Sequence, residues 1–229
     1  MKKLSVSITH TEGILGLFYL VFQLVILPFA VSFIHDLLDA PLTAAELNFA
    51  VFALEFICVT AIFHRFLLTN AKNAFTSPWH CLKTAGIGFG FYWLGSYVIA
   101  VIIVMLYPGF SNVNDASITE LTKENFPLMT IATVLLAPIT EETLFRGLVF
   151  GGLYNRSRVA AYAVSVLGFS ALHVVGYIGL YEPMHLLLCF LQYIPAALCL
   201  CWAYVRADSL LVPILIHMTN NLIVVFSMR

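Results

Sequence analysis

Two adjacent carboxylates, Glu141 and Glu142, stand just ahead of a guanidinium, Arg146, in a stretch that otherwise reads as membrane helix. Residues 128–139 before them carry no charge, and Leu144, Phe145, Leu148, Val149 and Phe150 surround or follow them. A charge at bilayer depth costs on the order of 2.5–3.5 kcal/mol by insertion scales, so a cluster of this kind marks a functional site. Glu142 and Arg146 are spaced i, i+4 with the acid first, the favourable order for an ion pair on a helix. Glu141 is turned about 100° away from Glu142. The phase therefore assigns Glu142 and Arg146 to a supporting pair and leaves Glu141 to face a wet cavity as a base.

Three further polar residues sit deep in apolar runs. His173 closes Phe169-Ser-Ala-Leu-His173, and His217 and Asn221 share one helical face at i, i+4. Peptide hydrolysis needs an activated water, a proton shuttle and donors for the developing oxyanion. Glu141 with His173 can supply the first two, and His217 with Asn221 the third. No serine or cysteine accompanies a histidine in a nucleophile motif, which leaves water as the nucleophile. Glu141, His173 and His217 are also ligand types that suit zinc with a water in the fourth position. HExxH is absent and no compact ligand motif replaces it, so the reading is of a site with no metal and no cofactor, with zinc as the alternative. His10, His35, His64, His80 and His185 fall near helix ends or loops and are read as structural or solvated. Glu55, a lone charge in the second apolar run, is read as a carboxylate facing a neighbouring helix or held protonated, in preference to a catalytic role.

The elements that must position these groups are membrane helices. The chain of 229 residues is 61% hydrophobic and 10% charged, whereas soluble domains carry about 25% charged residues. The sequence predicts an all-α fold, a polytopic transmembrane helix bundle of about seven spans with an intramembrane catalytic cavity, forming a single membrane domain over residues 1–229. The spans run near 13–34, 48–68, 84–107, 127–152, 158–177, 183–204 and 210–227. The first is too long for the apolar core of a signal peptide. Pro78, Pro127 and Pro183 suit helix entries, Pro28, Pro138, Pro195 and Pro213 suit kinks, and Pro138 removes the helical donor to the Val134 carbonyl. Ser117-Ile-Thr-Glu120 reads as a capping box that opens a short surface helix.

With the N-terminus inside, Lys2, Lys3, Arg65, Lys72, Lys83, Arg156, Arg158 and Arg206 are cytoplasmic, and only Lys123 and Arg229 lie outside. The positive-inside rule thus places the N-terminus in the cytoplasm. The outer loops hold Asp36, Asp39, Glu46, Asp115, Glu120, Glu124 and Glu182. Counted from the cytoplasmic ends, Glu141, His173 and His217 lie roughly 10–22 Å deep. A net charge of −1 offers no basic field for nucleic acid. The five cysteines form no CxxC pair and read as packing residues, Cys199 and Cys201 pointing about 200° apart on one helix.

Glu141-Glu142-xxx-Arg146, Phe169-xxx-His173 and His217-xxx-Asn221, in this order on successive late spans, resemble the three motifs of the type II CAAX prenyl endopeptidases, the CPBP (Abi) membrane protease family. Asp208-Ser209-Leu210-xx-Pro213-Ile214 resembles the usual lead-in to the third motif, and the likeness covers about residues 125–225 as a CAAX-protease-like core. The resemblance implies an intramembrane peptidase in which Glu141 and His173 activate water, His217 and Asn221 form the oxyanion site, Glu142 and Arg146 support them, and Phe169 lies at the substrate. It implies a glutamate-activated water without metal, in a cavity open to the cytoplasm. The implied partners are membrane lipids and a peptide or lipid-modified protein substrate, prenylated or hydrophobic, cut near the cytoplasmic face. Short termini and compact loops resemble prokaryotic members, hence a prokaryotic plasma membrane. The rival readings are a non-catalytic immunity or scaffold protein, and a transporter or proton relay. Oligomeric state is not legible in the sequence.

Overall fold

The structure, a computed structural model, describes residues 3–27, 29–31, 33 and 42–228. Expectations attached to Lys2, Pro28, His35, Asp36, Asp39 and Arg229 lie outside the described residues. The chain is all-α. In order it forms α1 (His10–Val21, continued by a π-helical stretch Phe22–Ile26), α2 (Ala44–Ile62), α3 (His64–Thr76), α4 (Pro78–Leu106), α5 (Val113–Glu124), α6 (Phe126–Tyr154), α7 (Arg158–Val175), α8 (Pro183–Ala207) and α9 (Leu211–Ser227). Among the described residues, α2, α4, α6, α7 and α8 are long and apolar enough to cross a membrane, and His10–Ile26 and Leu211–Ser227 are shorter apolar helices. The chain is thus an integral membrane protein. The helix entries at Pro78, Phe126-Pro127 and Pro183 form where the prolines predict them.

The second span ends earlier than its hydropathy suggests. Phe63 leaves helical geometry, with φ −101° and ψ 19°, and α3 starts at His64. One carboxylate explains the break. Glu12 accepts from the Thr9 backbone N–H at 2.8 Å, closing a capping box on α1, and its other oxygen accepts from the Phe66 N–H at 2.9 Å in the first turn of α3. A single side chain therefore caps two helices. α3 is amphipathic, burying Phe66, Asn70 and Ala74 while Arg65 and Lys72 are exposed.

Asn70 and Asn73 of α3 fasten this end of the bundle. Asn70 Oδ1 accepts from Leu210 N–H (3.0 Å), Asn73 Nδ2 donates to the Asp208 carbonyl (2.6 Å), and Ser5 N–H donates to Asp208 Oδ1 (2.9 Å). Asp208 takes a left-handed conformation, φ 57°, to end α8. The N-terminal segment, α3, the start of α4, the α6–α7 turn and the α8–α9 turn thus share one end. Lys3, Arg65, Lys72, Lys83, Arg156, Arg158 and Arg206 all belong to it. The opposite end gathers the start of α2, the α4–α5 connection, α5, the α7–α8 turn and the end of α9. It holds Glu46, Asp115, Glu120, Glu124 and Glu182, with Lys123 the single Lys or Arg among the described residues there.

α5 lies across this acidic end. It begins at Val113 with Asn112 as its cap, Asn112 Oδ1 accepting from the Asn114 and Asp115 N–H groups, so the Ser117–Glu120 pattern falls mid-helix and caps nothing. Glu124 at its far end accepts from the Ala45 N–H of α2 at 3.1 Å. In the basic half, α6, α7 and α8 pack around an apolar core that includes Phe63, Phe66, Leu144, Phe150, Tyr154 and Tyr204.

Candidate active site

α6 carries the paired carboxylates, and its backbone is adapted to them. It is α-helical over Phe126–Ile131, π-helical over Ala132–Leu136, α-helical over Ala137–Glu142 and π-helical over Thr143–Phe150. Proline explains the first change. In the π register the Ala137 N–H reaches the Ala132 carbonyl, so the next carbonyl, Thr133, would look to residue 138, which is proline and has no N–H. Asn221 supplies the missing donor from α9, its Nδ2 lying 2.9 Å from the Thr133 oxygen. The gap assigned to Val134 by α-helical counting thus moves to Thr133.

Glu142 is the hub of the site and is fully buried. Its Oε1 accepts from Arg146 Nη1 at 3.1 Å and from His217 Nδ1 at 2.9 Å. Arg146, also fully buried, donates through Nη2 to the Ala197 carbonyl at 3.3 Å and lies over the Phe169 ring at 4.2 Å. The predicted i, i+4 pair therefore forms, and it also orients the histidine. An ionised carboxylate only accepts, so His217 carries its proton on Nδ1 and turns Nε2 towards Glu141, whose Oε2 is 4.0 Å away. Glu141 keeps 14% of its side chain exposed and makes no hydrogen bond through Oε2 among the described residues. Helical phase thus separates the two acids: one spent on its neighbours, the other open.

His173 sits near the end of α7, with Nδ1 donating to the Phe169 carbonyl at 2.9 Å and its ring stacked on Tyr193 at 4.1 Å between centroids. A carbonyl can only accept, so the tautomer is fixed and Nε2 is the nitrogen left for chemistry. Phe169 is 2% exposed and holds Phe145 edge-on, Arg146 over its face and the two histidines at its sides. It borders the cavity as packing that positions other groups. Asn221 spends one amide hydrogen on Thr133 and receives Asn220 Nδ2 on Oδ1 at 3.2 Å, which leaves its second N–H.

Glu141, His173, His217 and Asn221 all line one cavity of about 480 Å³. Sequence reasoning passed over much of the remaining wall. Glu55 bonds Gln23 in the π-helical continuation of α1, the contact with a neighbouring helix that was expected, and both also border this cavity. Asn112, Asn114, Gln192 and Tyr193 form its upper wall, joined by bonds from Asn112 Nδ2 to Gln192 (2.7 Å) and from Tyr193 to Asp115 (3.1 Å). The available signal was Gln192 and Tyr193, polar groups three and two residues before Pro195 in an apolar span. Among the described residues no group of three His, Cys, Asp or Glu side chains is placed to hold a metal ion. Cys199 donates to the Gly88 carbonyl and Cys201 to Ser165, so the two point to different helices as their spacing predicts.

The cavity reaches the acidic end of the bundle, where α5 and the end of α9 border it. The N-terminal segment lies at the other end, fastened to Asp208. The N-terminal segment and the cavity, both expected from the sequence to face the cytoplasm, thus lie towards opposite ends of the bundle.

Comparison with known proteins bears on the same residues. Residues 123–223 match the family described as Type II CAAX prenyl endopeptidase Rce1-like, a segment that contains the whole Glu/Glu/Arg, His and His/Asn set. The chain is 23% identical over 160 residues to the membrane-embedded CAAX protease MroQ of Staphylococcus aureus (strain USA300). That match takes in 66% of this chain and 58% of the relative's length. No solved structure matches the chain.

Proposed function

We propose that this chain, whose residues 123–223 match the family described as Type II CAAX prenyl endopeptidase Rce1-like, is an intramembrane endopeptidase that cuts a hydrophobic or lipid-modified peptide with a water activated by Glu141. The observation that carries this reading is the convergence of groups from three helices on one cavity: an open carboxylate from α6, the Nε2 of His173 from α7, and His217 with Asn221 from α9. Glu141 takes a proton from water as its oxygen bonds the scissile carbonyl carbon. The oxyanion so formed is held by the remaining Asn221 N–H, with the His217 ring beside it in the same wall of the cavity. The C–N bond then breaks as the proton passes from Glu141 to the leaving nitrogen, with His173 Nε2 as the relay. Glu142 and Arg146 contact no reacting atom and act as positioning residues.

General-base catalysis contributes typically 10²–10⁴-fold. Glu141→Gln should therefore lower hydrolysis by about 10³-fold while the thermal unfolding midpoint in detergent stays near wild type. The assay is purified protein with fluorogenic peptides, prenylated and unprenylated, with and without a chelator. Retained turnover in Glu141→Gln would sink the assignment. Loss of wild-type turnover on chelation would replace the metal-free mechanism with a zinc-dependent one.

A further inference from the structure

The charges of the bundle and the shape of its cavity fix a direction that the family motifs leave open. Seven Lys and Arg side chains stand at the end that holds the N-terminal segment, α3 and the α8–α9 turn, against Lys123 alone at the other end, among the described residues. Short connections rich in Lys and Arg are retained in the cytoplasm. Between that basic end and Glu141 the interior is closed. Arg146 and Glu142 are fully buried, and beyond them lie Leu144, Phe145, Phe150 and Tyr204 in the apolar core, from which Phe169 and the partly buried Leu172 reach the cavity, among the described residues.

Towards the acidic end the opposite holds. Asn114, Asp115, Asn112, Gln192, Tyr193 and Asn220 give the wall a succession of donors and acceptors that leads from α5 down to His173 and Asn221. α7 ends only two residues after His173, so that histidine lies close to the acidic surface. A peptide backbone entering a membrane protein needs such partners for its own N–H and C=O groups. The polar wall offers them from one side alone.

We propose that the cavity takes its substrate from the extracytoplasmic side of the membrane, so that the peptide it cuts is an exported hydrophobic segment lying against the outer leaflet and not a cytoplasmic tail. This rests on the peptidase reading for the word substrate, but the direction of access stands on charge and geometry. The acidic rim adds a preference: Asp115 on α5 lines the cavity and Glu120 is exposed on the same helix, and carboxylates at this end favour a peptide with a basic residue beside its hydrophobic stretch.

The test is thiol accessibility in intact bacterial cells expressing the full chain. Of the native cysteines, Cys81, Cys189, Cys199 and Cys201 are buried, and Cys58→Ser removes the half-buried one. On that background Glu120→Cys marks the acidic rim, Lys72→Cys the basic end, and Ser96→Cys the cavity wall; positions 72 and 120 are exposed. A membrane-impermeant maleimide should label Glu120→Cys in intact cells at least tenfold faster than Lys72→Cys, which should react only after permeabilisation. A charged methanethiosulfonate should reach Ser96→Cys from outside. Labelling of Lys72→Cys in intact cells, equal labelling of both ends, or access to Ser96→Cys only in inverted vesicles would each overturn the proposal.

A second arm adds a fluorogenic hydrophobic peptide on an impermeant carrier to right-side-out and to inverted vesicles. Cleavage should be at least tenfold faster in the right-side-out vesicles, and the reverse order overturns the proposal. Absence of cleavage in both strikes the peptidase reading, and the labelling pattern still decides the side.

Discussion

The two halves of the bundle solve opposite problems with the same helices. In the basic half, α6 is buried between α7 and α8, and its charged residues are consumed: Arg146 and Glu142 hold one another, a backbone carbonyl and a histidine, all without solvent. In the acidic half the same helix borders the cavity, and Glu141 makes no hydrogen bond through Oε2 among the described residues, with His217 Nε2 4.0 Å away. A buried ion pair contributes little net stability once desolvation is counted, but breaking one is severe because it strands a charge. The difference teaches that the dry half exists to hold geometry for the wet half. Glu142 transmits it, since the oxygen that meets Arg146 also fixes the tautomer of His217.

The largest way to break this arrangement is Arg146→Met. It strands Glu142 in the sealed half and should cost about 3–5 kcal/mol, read as a lower unfolding midpoint in detergent. Asn221→Ala acts on the wet half and should lower kcat by about 10²-fold, the effect of losing one oxyanion donor, with KM little changed. A change confined to KM would remove Asn221 from the oxyanion site. Gly147→Ala places a Cβ 2.7 Å from the Phe66 ring in the dry half and should cost about 1–3 kcal/mol. At Gly86 on α4, which has nothing within 4 Å, the same change should stabilise by about 0.5–1 kcal/mol through helix propensity. Equal effects at the two glycines would mean that the basic half is not tightly packed.

The smallest effect concerns Glu12, which lies just ahead of the first apolar stretch. Burial would raise its pKa, but hydrogen bonds from the Thr9 and Phe66 N–H groups and the Thr9 hydroxyl outweigh burial and hold it below the usual carboxylate value. Its contribution is therefore complete above the unfolded-state pKa and is lost as pH falls through the lowered folded value. Glu12→Gln should reduce stability by about 1 kcal/mol near neutral pH and flatten the acid limb of the unfolding curve. An unchanged acid limb would show that Glu12 does not link α1 to α3.

Much of the site was legible because helical phase is a strong constraint. The i, i+4 spacing of Glu142 and Arg146, and the shared face of His217 and Asn221, become contacts in the fold. The proline entries to α4, α6 and α8 were equally readable. What escaped was long-range. Nothing near Glu12 in the sequence announces that it caps a helix 54 residues away. Glu55 looked solitary because its company, Gln23 and the cavity, comes from other helices. Asn112 displaced the Ser117–Glu120 box because the helix starts where a side chain reaches two free N–H groups, not where a motif happens to match. Counting depth along each span also ignores that α7 ends two residues past His173, which sets that histidine close to the acidic end of the bundle.

The π-helical stretch at Ala132–Leu136 carries one further consequence. Such a turn holds one residue more than an α-helical turn. Removing a single residue there would restore a regular helix and swing Glu141 and all that follows by about 100° around the axis. The acid would then aim at packed side chains, and the proline would still leave bare the carbonyl four residues before it. The aim of this site is set by how many residues precede it, so a shortened α6 could keep every motif letter, fold well and cut nothing.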